Sequence, residues 1–169
     1  MLAIRSARET DADPIRSLIY DVLGEYGLEP DRDGTDRDLE DMPGFYTRNG
    51  GTFEVLIDSG GNIVGTVGLY PMDEYRCELR KMYFAPVIRG QGWGKSVLDR
   101  AIRKAQDLGF SEMRLETASV LIEAIGLYQS FGFEELPADP HEPRCDRTFA
   151  MTLNDYEPAT GCRELKEEA

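Results

Sequence analysis

Arg89-Gly90-Gln91-Gly92-Trp93-Gly94-Lys95-Ser96-Val97-Leu98 joins two segments of different period. Upstream, Glu78-Leu79-Arg80-Lys81-Met82-Tyr83-Phe84 reads as a strand, closed by Pro86. Downstream, Val97, Leu98, Ala101, Ile102, Ala105 and Leu108 recur at three- and four-residue spacing, the mark of a helix with one apolar face. A glycine-rich turn thus carries a strand into a helix N-terminus. The first N–H groups of such a helix lack intrahelical acceptors, and the helix dipole adds partial positive charge there. Glycine lets the backbone close on an anion with no Cβ in the way. The arrangement predicts a site for phosphate, pyrophosphate above all. The plainer reading is a glycine turn that only starts a helix.

Two common nucleotide loops are excluded by spacing. A Walker loop ending in Gly94-Lys95-Ser96 needs a glycine where Arg89 stands. A dinucleotide fingerprint beginning at Gly90 needs glycine at Lys95, and one beginning at Gly92 needs it at Val97.

The remaining composition narrows the function classes. A chain of 169 residues with 41% hydrophobic content suits one soluble domain with a real core. No apolar run is long enough to span a membrane, and Met1-Leu2-Ala3-Ile4-Arg5 is no signal peptide. A formal net charge of −13 argues against nucleic-acid binding, which needs clustered positive charge. It is compatible with attraction of cationic amines, although solubility alone accounts for it. Cys77, Cys145 and Cys162 lie far apart, which fits a reducing, cytoplasmic setting and no zinc motif.

Along the chain, residues 3–8 read as an opening strand, and Thr10-Asp11 as a cap for a helix bearing Ile15, Leu18, Ile19, Val22 and Leu23. Between residues 25 and 41, Glu29, Asp31, Asp33, Asp36, Asp38, Glu40 and Asp41 crowd together, with a short helix expected from Thr35. This is either a solvated acidic loop or a rim that draws in an ammonium group, with Phe45 and Tyr46 as an apolar wall. Residues 51–58, 63–70 and 75–84 form an antiparallel meander with a tight turn at Ser59-Gly60-Gly61-Asn62. After the helix that follows the glycine loop come a strand at 112–117, a helix at 119–131 stopped by Gly132, and strands at 133–136 and 147–153. The proline-rich loop between these last strands holds His141, the lone histidine, read as a surface residue with catalysis as the lesser reading. Residues 1–156 are expected to form one domain, followed by a polar, loose tail over 157–169.

The Arg-x-x-Gly-x-Gly pattern at Arg89–Gly94, after a strand that ends in proline, resembles the coenzyme A loop of the GNAT superfamily of N-acetyltransferases. A second segment, Ala124-Ile125-Gly126-Leu127-Tyr128-Gln129-Ser130-Phe131-Gly132-Phe133, is similar to the family's Ala-Ile-x-Leu-Tyr…Gly-Phe pattern. The order of elements matches to about Leu153. One departure is Leu121, where many members carry Asn.

The resemblance implies an α+β fold: a GNAT-like mixed, mostly antiparallel central sheet, splayed at the cofactor site and flanked by helices. It implies an acyltransferase using acetyl-CoA, with a primary amine of a small molecule or amino acid as acceptor. Gly90 would belong to the cofactor-binding loop, and N–H groups of Gln91, Gly92, Trp93, Gly94 and Lys95 would hold the pyrophosphate. The edge at Met82, Tyr83 and Phe84 would pair with the pantetheine amides. Arg89 either pairs with phosphate or is an ordinary surface charge. Tyr128 is the candidate general acid, against a plain core tyrosine. Glu78 is the candidate base, against a strand ion pair, and by alternation it shares its face with Arg80 and Met82. Glu116 is a second candidate. A coenzyme A-binding module without turnover and a protein N-terminal or lysine acetyltransferase are the rival readings. The family also forms homodimers, a point on which this sequence is silent.

Overall fold

The structure, a computed structural model, describes residues 1–137 and 143–169; His141 lies outside them. Strands β1 (Ala3–Ser6), β2 (Thr52–Ile57), β3 (Ile63–Pro71), β4 (Arg76–Phe84), β5 (Glu112–Thr117), β6 (Glu134–Leu136), β7 (Arg147–Thr152) and β8 (Lys166–Glu167) form one eight-stranded sheet in the order β6-β7-β5-β4-β3-β2-β1-β8. All neighbours are antiparallel except β4–β5 and β1–β8. Among the described residues four α-helices flank the sheet: α1 (Ala12–Glu25), α2 (Met42–Phe45), α3 (Trp93–Asp107) and α4 (Ile122–Ser130).

Alternation along the strands feeds two apolar layers. On one side Ile15, Ile19 and Leu23 of α1 pack with Leu39, Met42, Tyr46, Phe53 and Val55. On the other, Val97, Leu98, Ala101, Ile102 and Ala105 of α3 pack with Leu56, Val67, Leu69, Leu79, Met113, Leu115 and Tyr128. A fully buried Ile or Leu in such a layer contributes ~1.5–3 kcal/mol from apolar burial. The expected amphipathic helices thus each cover one sheet face. Glu54, buried on β2, is matched by Arg100 at 2.9 Å and Lys104 at 2.6 Å from α3. Among the described residues no helix is long and apolar enough to cross a membrane.

Three local expectations change. Asp11 does not cap α1: its carboxylate accepts from the Arg8 N–H at 2.7 Å and from the Arg5 guanidinium, ahead of a 3-10 turn at Glu9–Asp11. Helix α4 starts three residues later than its apolar pattern suggests, because Asp146 takes both the N–H and the hydroxyl of Ser119 at 2.8 Å. The C-terminal segment is docked rather than loose. Residues of β8 pair with Ala3 and Ile4, and Asp99 of α3 accepts from the Tyr156 hydroxyl and the Ala159 N–H, both at 2.7 Å. Polarity read as a sign of solvation is here used for hydrogen bonds to α3.

Candidate active site

The sheet opens between β4 and β5. Strands β4 and β5 pair in parallel only through Arg76↔Glu112, Cys77↔Met113 and Glu78↔Arg114. Beyond that point each follows its outer neighbour: β4 stays with β3 as far as Phe84↔Gly65, and β5 stays with β7 as far as Thr117↔Arg147. The two strands part, leaving a cleft of about 690 Å³. Glu78, Met82, Tyr83, Phe84, Arg89, Gly90, Gly92, Trp93, Gly94, Lys95 and Tyr128 all border it. Gln91 is the exception: its side-chain amide donates to the Val87 carbonyl at 2.8 Å, outside the cleft lining.

At one end of the cleft stands the glycine turn. Gly90 and Gly92 have φ of 70° and 85°, left-handed values that cost an L-residue ~1–2 kcal/mol. Gly92 is the residue before α3, and no side chain caps that helix. The N–H groups of Trp93, Gly94 and Lys95 precede the bond from the Ser96 N–H to the Gly92 carbonyl, so they have no intrahelical acceptor. A Cβ on Gly94 would lie 3.3 Å from Leu127, so glycine lets α4 close against the turn. Arg89 is already engaged: its Nε donates to the Phe84 carbonyl at 2.8 Å and its terminal nitrogens meet Glu25 of α1 at 2.5 and 3.2 Å. The C-terminal segment braces the turn from outside. Arg163 lies 4.2 Å over the Trp93 ring, donates to the Gln91 carbonyl at 3.0 Å, and bonds through its own N–H to the Ser96 hydroxyl at 2.7 Å. Thr160 accepts from Lys95 Nζ at 2.5 Å.

The middle of the cleft is shaped by a bulge. Thr66 faces Tyr83 and Gly68 faces Arg80, so Val67 alone opposes both Lys81 and Met82. Lys81 has φ of 53°, a left-handed value at a non-glycine residue, and the Thr66 hydroxyl donates to its carbonyl at 2.6 Å. The bulge corrects the expected alternation. Met82 does not share a face with Glu78; it packs with the α3 layer, while Tyr83 packs with the α1 layer. Tyr83 thus joins Glu78 and Arg80 on one face.

The other end is built from charged side chains. Asp36 is fully buried and holds Lys81 at 2.6 Å, both terminal nitrogens of Arg144 at 2.7 and 2.8 Å, and the Asp31 N–H at 2.9 Å. Burial would push its carboxyl up, but Arg144 and Lys81 hold it well below the usual carboxylate range. Asp38, also buried, accepts from the Tyr46 hydroxyl and lies 3.5 Å from Lys81; burial leaves its carboxyl above the usual value. Both readings of the acidic run therefore need correcting at these two positions. Asp36 and Asp38 are neither solvated nor open to an ammonium ligand, because a lysine and an arginine from elsewhere in the chain already neutralise them. Tyr46 is core, not a wall of the site. Nothing short-range marks Lys81 or Arg144 as their partners.

Glu78 pairs with Arg80 at 2.6 Å, the ion pair weighed against a base, and both border the cleft. Tyr128 is 6% exposed, packs edge-on against Phe133 with ring centres 5.8 Å apart, and borders the cleft too. It is at once a core tyrosine and a cleft residue. Burial first, then the nearby Tyr83 and Cys145, push its hydroxyl above the ordinary phenol value. Burial likewise pushes Tyr83 up to about 12. Glu116 and Leu121 line the opposite wall, and Leu121 presents only hydrocarbon.

Comparison with known proteins agrees with this geometry. Residues 16–133 match the model of the acetyltransferase (GNAT) family. The chain is 37% identical over 131 residues to the uncharacterized N-acetyltransferase YjgM of Escherichia coli, spanning 75% of this chain and 78% of that protein. It is 34% identical over 103 residues to human N-acetyltransferase 8B, spanning 58% and 45% of the two chains. A GNAT-family acetyltransferase of Staphylococcus aureus superposes with a TM-score of 0.85 at 27% identity, over 91% of this chain and all (100%) of that one. The chain belongs to the GNAT superfamily of N-acetyltransferases and is an acyltransferase.

Proposed function

We propose that this chain moves an acetyl group from acetyl-CoA to the primary amine of a small molecule or amino acid, by direct transfer while both are bound. The observation that carries the reading is the parting of β4 from β5 beside an uncapped helix N-terminus. The turn fits a diphosphate: two of its residues need glycine for their backbone angles, and three consecutive N–H groups lack intrahelical acceptors. Further support comes from a phosphinothricin acetyltransferase of Sinorhizobium meliloti solved with AcCoA and a spermidine N-acetyltransferase of Vibrio cholerae solved with CoA and spermine, which share the fold at TM-scores of 0.70 and 0.69.

Acetyl-CoA, when bound, supplies an activated acyl thioester. The backbone from Gly90 through Gln91 and Gly92 to Lys95 holds its diphosphate. The edge at Met82, Tyr83 and Phe84, which has no pairing to β5, would take the pantetheine amides, and a backbone N–H near Met82 or Tyr83 would polarise the acyl carbonyl. Glu78 accepts the proton of the amine, so that its lone pair is available. Tyr128, protonated at neutral pH as any ordinary phenol is and held so more firmly by burial, would donate to the sulfur as the C–S bond breaks. Calorimetric titration of acetyl-CoA, followed by a thiol-release screen over amino acids, polyamines, aminoglycosides and peptides, tests the reading. Micromolar binding with release by at least one small amine supports it. Binding with no release by any acceptor would replace it with a coenzyme A-binding module.

A further inference from the structure

The cations around the cleft are not equally occupied. Lys81 is spent on Asp36 and the Thr35 carbonyl, Arg144 on Asp36, and Arg89 on Glu25 and the Phe84 carbonyl, while Lys95 donates to the Thr160 carbonyl at the glycine turn, away from Glu78. Arg80 differs. Its Nε donates to Glu78 at 2.6 Å, yet among the described residues its two terminal nitrogens donate no hydrogen bond. A guanidinium carries five N–H donors, and four of these sit on the terminal nitrogens. The side chain is only 22% exposed, and Arg80 is one of the residues lining the cleft. Its orientation is fixed: the guanidinium carbon lies 4.6 Å from the Tyr70 ring centre and 5.7 Å from that of Phe45. Two aromatic faces and one carboxylate therefore hold a planar fork, its four terminal donors unused among the described residues, at the edge of the site.

Such a fork matches a carboxylate, which takes two parallel N–H bonds. Resting on the acyl-transfer reading above, we propose that Arg80 is a specificity-determining residue that receives a carboxylate of the acceptor. The acceptor is then an amine bearing an acid group close to its nitrogen, of the α-amino-acid type. Glu78 and Arg80 stand two residues apart on one strand face, so opposite charges meet the two ends of a zwitterion. The acidic run points the same way: Asp36 and Asp38 are neutralised by Lys81 and Arg144, and none of the run's carboxylates lines the cleft to await a polycation.

The test uses acceptor pairs that differ only in the carboxylate: phenylalanine against phenethylamine, ornithine against putrescine, leucine against isopentylamine. In thiol release by the intact protein, kcat/KM is expected to favour the carboxylated member by about tenfold or more, through KM. Arg80→Met keeps the stem over Tyr70 and removes the fork; it should bring the pairs within about threefold, with KM for the acids rising more than kcat falls. Arg80→Lys, which keeps the charge without the fork, should fall between. Acetyl-CoA that binds the wild type, with carboxylated amines no better than their partners, overturns the Arg80 assignment alone. So does an undiminished preference in both variants. Failure of acetyl-CoA to bind overturns the acyl-transfer reading itself.

Discussion

The two ends of the cleft are made of different material. The proposed cofactor end is backbone: left-handed glycines and the first N–H groups of α3, with side chains bracing it from behind. The proposed acceptor end is side-chain charge: Asp36 and Asp38 set against Lys81 and Arg144, and Glu78 against Arg80. Backbone donors cost no rotamer entropy and cannot be titrated. Side-chain charges can be exchanged for others without disturbing the turn, but each buried one needs its partner. A fold that separates the two can keep one donor site and vary the acceptor.

Breaking the charged end should have the largest effect on stability. Asp36→Ala leaves Lys81 buried opposite Asp38 alone and is expected to cost ~3–5 kcal/mol, read from denaturant midpoints. The same carboxylate gives the pH dependence its sign. Its folded pKa is depressed, so its stabilisation is present above the ordinary carboxylate pKa and is lost as pH falls below it. Asp38, raised by burial, contributes in the opposite sense. Asp36→Asn should therefore flatten the fall in stability measured from pH 5 down to pH 3, whereas an unchanged slope would show that the network does not titrate as described.

Tyr128→Phe probes the proposed reacting centre between the two ends. It should lower kcat by about 10²-fold, the low end for loss of a general acid, and leave acetyl-CoA affinity within about twofold. Equal turnover in the two proteins would reduce Tyr128 to the core residue that its packing against Phe133 also makes it.

The backbone end should respond in the reverse way. Gly92→Ala forces a Cβ into φ of 85° at ~1–2 kcal/mol, and is expected to weaken acetyl-CoA about tenfold with little change in kcat at saturation. A smaller effect is expected from deleting residues 157–169. The turn would lose the hydrogen bonds of Arg163 to Gln91 and Ser96 and of Thr160 to Lys95, a loss of ~1 kcal/mol in acetyl-CoA binding. An unchanged affinity would show that the brace plays no part in positioning the turn.

This contrast also explains what was legible in the sequence. The glycine turn could be read because a left-handed φ leaves a residue-type signature at the position that adopts it, as at Gly90 and Gly92. Helix α3 could be read from spacing alone. The bulge could not: Arg80-Lys81-Met82 looks like any strand, and the left-handed φ falls on a lysine whose holding bond comes from Thr66 on the next strand. The acidic run announced its charges but not their partners, which lie 45 residues away at Lys81 and 108 residues away at Arg144. Arg80 as the proposed acceptor contact was hidden for a further reason. The proposal rests on donors left unused among the described residues, and only the packed structure shows which cations are spent. The docking of the C-terminal segment leaves no such signal, because the same polar residues serve solvent and a helix flank equally well.

The central claim, that the backbone of the turn grips a diphosphate in the mouth of the splayed strands, is tested most directly by backbone amide NMR during titration with acetyl-CoA. Saturable shifts at residues 90–96 and at 82–84, with the amides around Asp36 and Asp38 nearly still, are the expected result. No saturable shift at the turn, or shifts confined to other surfaces, would contradict it.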